Sequence, residues 1–132
     1  MKFDLNYKKG QVSFEIPDGN YCTTIEANPL DLPEAGREEV VRSLHQPIGA
    51  PRLSEIVKPG EKIVIITSDI TRPCPSYDIL PPILDELSLA GVRDEDVTVV
   101  FALGSHRAHS EEEKIHLVGK EVYDRVACID AK

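Results

Sequence analysis

The chain has 132 residues, 41% of them hydrophobic and 29% charged, which suits one folded domain and excludes a disordered tail. The 23 acidic against 15 basic side chains leave a formal net charge of −8, so a basic face for nucleic acid is not expected, although a cleft can carry the opposite sign. No apolar run approaches the roughly 20 residues that span a bilayer, so no membrane partner is expected.

The N-terminal segment Met1-Lys2-Phe3-Asp4 lacks the apolar centre of a signal peptide. Cys22, Cys74 and Cys128 are odd in number and widely spaced, with no CxxC pair and no zinc-like pattern, which points to a reducing cytoplasm. Residues 2–7 and 11–16 each alternate in character around Lys8-Lys9-Gly10, the signature of a hairpin. Phe3, Leu5 and Tyr7 are expected on one face, and Val12, Phe14 and Ile16 on another. After the turn Pro17-Asp18-Gly19-Asn20, a third short strand is expected over residues 21–27. Pro33 suits a first helical turn, which predicts a helix over residues 34–45 with a thin stripe of Val40, Val41 and Leu44. A short helix over residues 53–57 ends at Pro59-Gly60.

From Glu61 onward the pattern changes. Residues 63–67 are uninterrupted and β-branched, which suits a strand covered on both faces. A helix is expected over residues 79–90, with Pro81 and Pro82 in its first turn, Leu80, Ile83, Leu84 and Leu87 as its stripe, and Gly91 as its stop. The next buried strand is residues 97–102. Ser110-Glu111-Glu112-Glu113 reads as a capping box opening a helix whose apolar side is Ile115, Val118 and Val122, with Gly119 interrupting it. Residues 126–129 begin a third strand.

Alternating strands and helices predict an α/β fold: a Rossmann-like parallel sheet in three layers, preceded by the N-terminal hairpin. Two complete interior strands and the start of a third bury a core poorly. Either the N-terminal strands extend that sheet or the chain is a fragment of something longer, and both are expected.

Both apolar strands run straight into polar loops. Thr67 leads to Ser68-Asp69-Ile70-Thr71-Arg72-Pro73, and Ala102 leads to Leu103-Gly104-Ser105-His106-Arg107. Right-handed crossovers make the two strands parallel, so the loops share the rim where ligands of open α/β sheets bind. Arg72 offers a planar fork for a carboxylate or phosphate. An imidazole, here His106, suits proton transfer near neutral pH. Asp69 can orient His106, bind a ligand hydroxyl or pair with Arg72. Gly104 allows close backbone approach to a ligand, and the helix near Ser110 adds a dipole favourable to an anion. Each has a plainer reading: Asp69 with Thr71 is a turn-capping sequence, Arg72 a surface ion-pair partner, and a lone histidine a solvated side chain. His109 either assists His106 or points to solvent, and Cys74 reads as a small buried thiol. Glu111 to Glu113 read as a solvated first turn, not a metal site. No P-loop, GxGxxG, HExxH or GxSxG pattern occurs.

The run Ser68-Asp69-Ile70-Thr71-Arg72-Pro73-Cys74-Pro75-Ser76 with Ile79-Leu80-Pro81-Pro82 resembles the first signature of the lactate racemase family, the nickel-pincer-nucleotide enzymes that invert 2-hydroxy acids. Ala102-Leu103-Gly104-Ser105-His106-Arg107 with Ser110-Glu111-Glu112-Glu113 resembles its next signature. The resemblance implies that Arg72 holds the substrate carboxylate, His106 is one of two opposed histidine bases, and Asp69 organises the substrate or cofactor. It puts Ser68, Thr71, Gly104 and Ser105 on the cofactor side. It also implies a reaction in which a hydride passes to the nickel pincer nucleotide while a histidine takes the hydroxyl proton. The family's second histidine base, cofactor-bearing lysine and nickel-ligand histidine lie downstream of these signatures, and its members are longer, with a second domain closing over the site. The resemblance thus implies that residues 1–132 are the N-terminal α/β domain, a fragment of a larger two-domain protein. The chain by itself is accordingly expected to be inactive, metal-free and without bound cofactor, its partners being a 2-hydroxy acid and a missing C-terminal domain, with homo-oligomerisation through an exposed apolar face compatible. Two further readings stay open: a non-catalytic module binding a small carboxylate or nucleotide, and a structural piece that docks on a partner domain.

Overall fold

A computed structural model describes residues 1–33 and 35–131, which divide into two compact units, Met1–Asp31 and the part from Leu32 onward. The first unit is an antiparallel hairpin of β1 (Lys2–Tyr7) and β2 (Gly10–Glu15). Its turn is two residues, with Lys8 at φ +55°. The register sets Phe3 opposite Phe14 and Leu5 opposite Val12. Directly paired residues project to the same side of a sheet, so the two apolar sets form one face rather than the two expected. Phe3 stacks on Phe14 at 5.6 Å and lies 5.5 Å from Tyr21. The expected strand over residues 21–27 does not form. Ile25 is 94% exposed, and this stretch pairs with no strand edge.

The second unit holds α1 (Arg37–His45), α2 (Leu53–Ile56), β3 (Ile63–Ser68), α3 (Ser76–Leu89), β4 (Val97–Ala102), α4 (Glu111–Arg125) and β5 (Ala127–Asp130). The first helix begins at Arg37, after Gly36, so Pro33 lies outside it; Glu34 is outside the described residues. The helix expected from residue 79 starts a turn earlier, at Ser76, because the Asp78 and Ile79 amides already bond the Pro75 carbonyl. Pro81 and Pro82 therefore sit in the second turn. There they forgo two intrahelical bonds, but both are buried and fill core positions. Gly119 breaks α4 with φ +80° and ψ 152°, a backbone conformation that a residue with a Cβ rarely adopts.

Strands β3, β4 and β5 form a parallel sheet in that order, with Ile63 beside Val97 and Thr98 beside Ala127; the N-terminal strands pair only with each other in a sheet of their own and do not extend it as expected. The strand order advances in one direction, and right-handed crossovers then put both connecting helices on the same face. Leu80, Leu84 and Leu87 of α3 and Leu117, Val118 and Val122 of α4 pack there on Val97, Val99 and Phe101. The opposite face is open: Val64 is 61% exposed, Ile66 72% and Ile129 49%. The apolar run in β3 is thus covered on one face, not both.

Ionic contacts brace this scaffold away from the rim formed by the carboxyl ends of the strands. Buried Glu86 on α3 receives both arms of Arg52 at 3.0 and 2.8 Å and the Ser54 hydroxyl at 2.6 Å. Those bonds hold its carboxyl well down, at about 2. Asp96, buried at the start of β4, is held by Lys62 and by Arg93 at 3.0 Å.

Candidate functional site

The parallel register brings Ser68 beside Ala102, so both polar loops leave the sheet at one rim. They enclose a cleft of about 360 Å³ lined by Ser68, Asp69, Arg72, Gly104, Ser105 and His106, together with Ala102 and Leu103. A larger hollow of about 530 Å³ lies along α1, but side chains of that helix and the following Gln46 form it, and none of the loop residues lines it.

Asp69 anchors the cleft. It is 4% exposed, and its Oδ1 accepts the Thr71 amide at 3.1 Å and the Thr71 hydroxyl at 2.8 Å. Its Oδ2 is hydrogen-bonded to His106 Nδ1. The Thr71 hydroxyl first, and His106 second, hold the Asp69 carboxyl down at about 2, so it stays ionised across ordinary pH. An ionised carboxylate only accepts, so Nδ1 of His106 carries the ring proton. Nε2 is then the basic nitrogen, and among the described residues it has no hydrogen-bond partner. The turn-capping and the orienting readings of Asp69 are both realised, one on each oxygen.

Arg72 is exposed on the cleft and its side chain has no carboxylate partner among the described residues; its link to Asp69 is a backbone bond of 3.2 Å. Gly104 takes φ +59°, and a Cβ there would meet nothing within 4 Å, so this loop presents open backbone to the cleft. The Ser68 hydroxyl accepts the Cys74 amide at 3.1 Å and keeps its own proton for a ligand. Thr71 does not line the cleft, because its hydroxyl is spent on Asp69.

The start of α4 is filled from within. Ser110 and Glu113 cap each other's amides, and Arg107 grips Glu113 at 2.8 and 2.7 Å. Arg107 foremost holds the Glu113 carboxyl at about 2, so the helix end is occupied by its own carboxylate rather than a ligand.

His109 does not point to solvent, one of its two expected readings. Its side chain is 2% exposed. The Ile70 amide donates to its Nε2 at 3.0 Å, and its Nδ1 donates to Asp130 Oδ1 at 2.6 Å. The His109 amide also reaches Asp130 Oδ2 at 3.1 Å, Lys114 lies 3.4 Å from that oxygen, and Phe101 meets the ring edge-on at 5.1 Å. Burial alone would raise the Asp130 carboxyl; the two bonds from His109, together with the charges of Lys114 and His109, outweigh it and hold it below the usual range. The sequence signal for this residue is thin: a second histidine three positions after His106, and an acid closing the third strand. His45 and His116 lie on helices and do not line the cleft. Cys74 is half-buried, and burial pushes the Cys128 thiol up to about 11.

Residues 7–132 match the family model described as the lactate racemase N-terminal domain. Over 121 residues the chain is 34% identical to a lactate racemase of Lactiplantibacillus plantarum, covering 90% of this chain and 28% of that protein. It is 31% identical to a lactate racemase of Thermoanaerobacterium thermosaccharolyticum, covering 92% of this chain and 29% of the relative. The structure of the lactate racemase apoprotein from Thermoanaerobacterium thermosaccharolyticum superposes on the whole chain with a TM-score of 0.76 and 28% identity, over 30% of its own length. The chain thus spans less than a third of the length of these relatives.

Proposed function

Since the chain belongs to the lactate racemase N-terminal domain family, we propose that its strand-end cleft binds a 2-hydroxy acid and supplies one of the bases that invert it. The observation that carries this reading is Arg72, a guanidinium without a carboxylate partner among the described residues, on the same cleft as an Asp–His pair. The fork of Arg72 takes the substrate carboxylate bidentately and fixes the carbinol carbon against His106. Asp69 keeps the proton on Nδ1, so Nε2 accepts the hydroxyl proton, and the carboxylate then stabilises the imidazolium that forms. Thr71 positions Asp69. Inversion needs a base on each face of the carbon. His109 is saturated, and neither His45 nor His116 is at the cleft, so His106 is the one histidine base that this reading draws from the described residues. The domain alone is therefore not expected to turn over substrate.

The nickel pincer nucleotide implied by the family resemblance fits this cleft in part. The open backbone at Gly104 and the hydroxyls of Ser68 and Ser105 suit close approach of a flat, polar group. A pincer ligand carries most of the metal's donors itself, so such a cofactor would not require a cluster of metal-ligating side chains in this cleft. Such a cofactor supplies a hydride acceptor, while this chain's residues bind the acid and move its proton. Three free cysteines suit a cytoplasmic protein. The open sheet face suits the further domain of a longer enzyme.

A chiral assay of the whole protein that carries this domain tests the reading. Interconversion of L- and D-lactate, or of another 2-hydroxy acid, is expected, with KM raised about ten- to hundred-fold by Arg72→Ala. Binding of 2-hydroxy acids without any interconversion would instead make this domain a non-catalytic carboxylate binder.

A further inference from the structure

Two Asp–His pairs lie at the strand ends, and the proton-transfer reading uses one. The other, His109 with Asp130, is buried and saturated, and it touches the loop that carries Asp69 and Arg72. The contact is specific: the amide of Ile70, between those two residues, donates to His109 Nε2 at 3.0 Å. A backbone amide cannot accept, so this bond exists only while Nε2 bears a lone pair. Asp130 enforces that tautomer by taking the Nδ1 proton at 2.6 Å and the His109 amide at 3.1 Å. Asp130 is itself fixed at the end of β5 and backed by Lys114 of α4, while Phe101 of β4 closes the ring's edge.

We propose that His109 is a positioning residue: with Asp130 it locks the loop from Asp69 to Arg72 against the sheet, so that Asp69 meets His106 and Arg72 faces the cleft. The lock runs across all three parallel strands. β5 supplies Asp130, the loop after β4 supplies His109, and the loop after β3 supplies the Ile70 amide. Without it, the amide between the two working residues is left unpaired in a half-buried turn, and the turn relaxes to satisfy it. The proposal rests on the reading of the cleft as a hydroxy-acid site, but its test has a ligand-free arm.

Two substitutions separate the two nitrogens. His109→Gln places a carbonyl oxygen where Nε2 stood and can still accept from Ile70, while losing the donor to Asp130. His109→Asn keeps a donor near the Nδ1 position and loses the acceptor for Ile70. Nitrogen-15 spectra of the full chain without ligand report the Ile70 amide and the tautomer of His106. The expected result is that His109→Gln keeps the Nδ1–H signature of His106, that His109→Asn loses it, and that a shift of the Ile70 amide accompanies the loss. If both folded variants leave the His106 signature unchanged, or both lose it equally, His109 is only a packing residue and the proposal is overturned. Titration with L-lactate adds the second arm. Affinity is expected to fall about tenfold in His109→Asn and to be largely kept in His109→Gln. Failure of the unsubstituted chain to bind lactate would count against the hydroxy-acid reading, and the ligand-free spectra would still decide the lock.

Discussion

The two Asp–His pairs at the rim are built alike and end differently. In each, a carboxylate held below its usual range faces Nδ1 and fixes the ring proton there. The difference lies at the other nitrogen. Nε2 of His109 is capped by a backbone amide in a side chain 2% exposed, whereas the His106 side chain is 43% exposed and its Nε2 is left to the cleft. A histidine whose second nitrogen is satisfied by the protein holds structure together; one whose second nitrogen is left over can take a proton. Residue type and carboxylate partner do not distinguish the two. The partner of Nε2 does.

Removing the proton acceptor is expected to have the largest effect. In the whole protein, His106→Gln should lower kcat by about 10²–10⁴-fold, the range for loss of a general acid–base group, with lactate binding retained. Measured turnover within a few-fold of the parent would mean that Nε2 of His106 is not the base. Asp69→Asn sharpens the contrast further. The amide can no longer enforce the Nδ1–H tautomer, so turnover should fall by about 10²-fold or more. The same change at Asp130 should act first on the fold, lowering the thermal midpoint before it touches kcat at saturating substrate.

The parts of this arrangement readable in the sequence are those set by local chemistry and chirality. The runs at residues 63–67 and 97–102 announce strands because they are apolar and rich in β-branched side chains, and a helical crossover between them makes them parallel, with adjacency then set by the pairing the structure shows. That alone brings Asp69, Arg72 and His106 to one rim. The role of His109 was not readable, because its partner is a backbone amide 39 positions away in sequence, and amides carry no residue-type signal. One-sided covering of β3 was likewise hidden. An apolar run states that a strand avoids water, not which chain covers each face. The prolines of α3 misled for a related reason: Pro81 and Pro82 suit a first turn locally, but tertiary burial keeps them in the second.

Acid titration gives a smaller, graded test. The Asp69 carboxyl moves from an ordinary 3.8 to about 2 on folding, so it stabilises the fold only while ionised. Its contribution is complete above about pH 4 and is lost as pH falls through about 2. Glu86 behaves the same way from 4.5 to about 2, through Arg52. Denaturant midpoints measured between these limits should fall with pH, and Asp69→Asn should flatten part of that slope. A slope unaltered by Asp69→Asn would show that the carboxylate at the cleft is not held by the bonds described for it.

The smallest expected effect separates hydrogen bonding from charge at the buried pair. Lys114 stands 3.4 Å from Asp130, a longer contact than either bond from His109. If hydrogen bonds fix Asp130, Lys114→Met removes only a peripheral charge and should cost about 1 kcal/mol or less in urea denaturation. The Ile70 amide resonance should then stay in place. A loss well above that, with the Ile70 amide displaced, would mean that the ammonium rather than the imidazole holds the carboxylate at the end of β5. The two pairs would then differ in their carboxylates as well as in their rings, because Asp69 is held by a hydroxyl, an amide and an imidazole and needs no permanent cation.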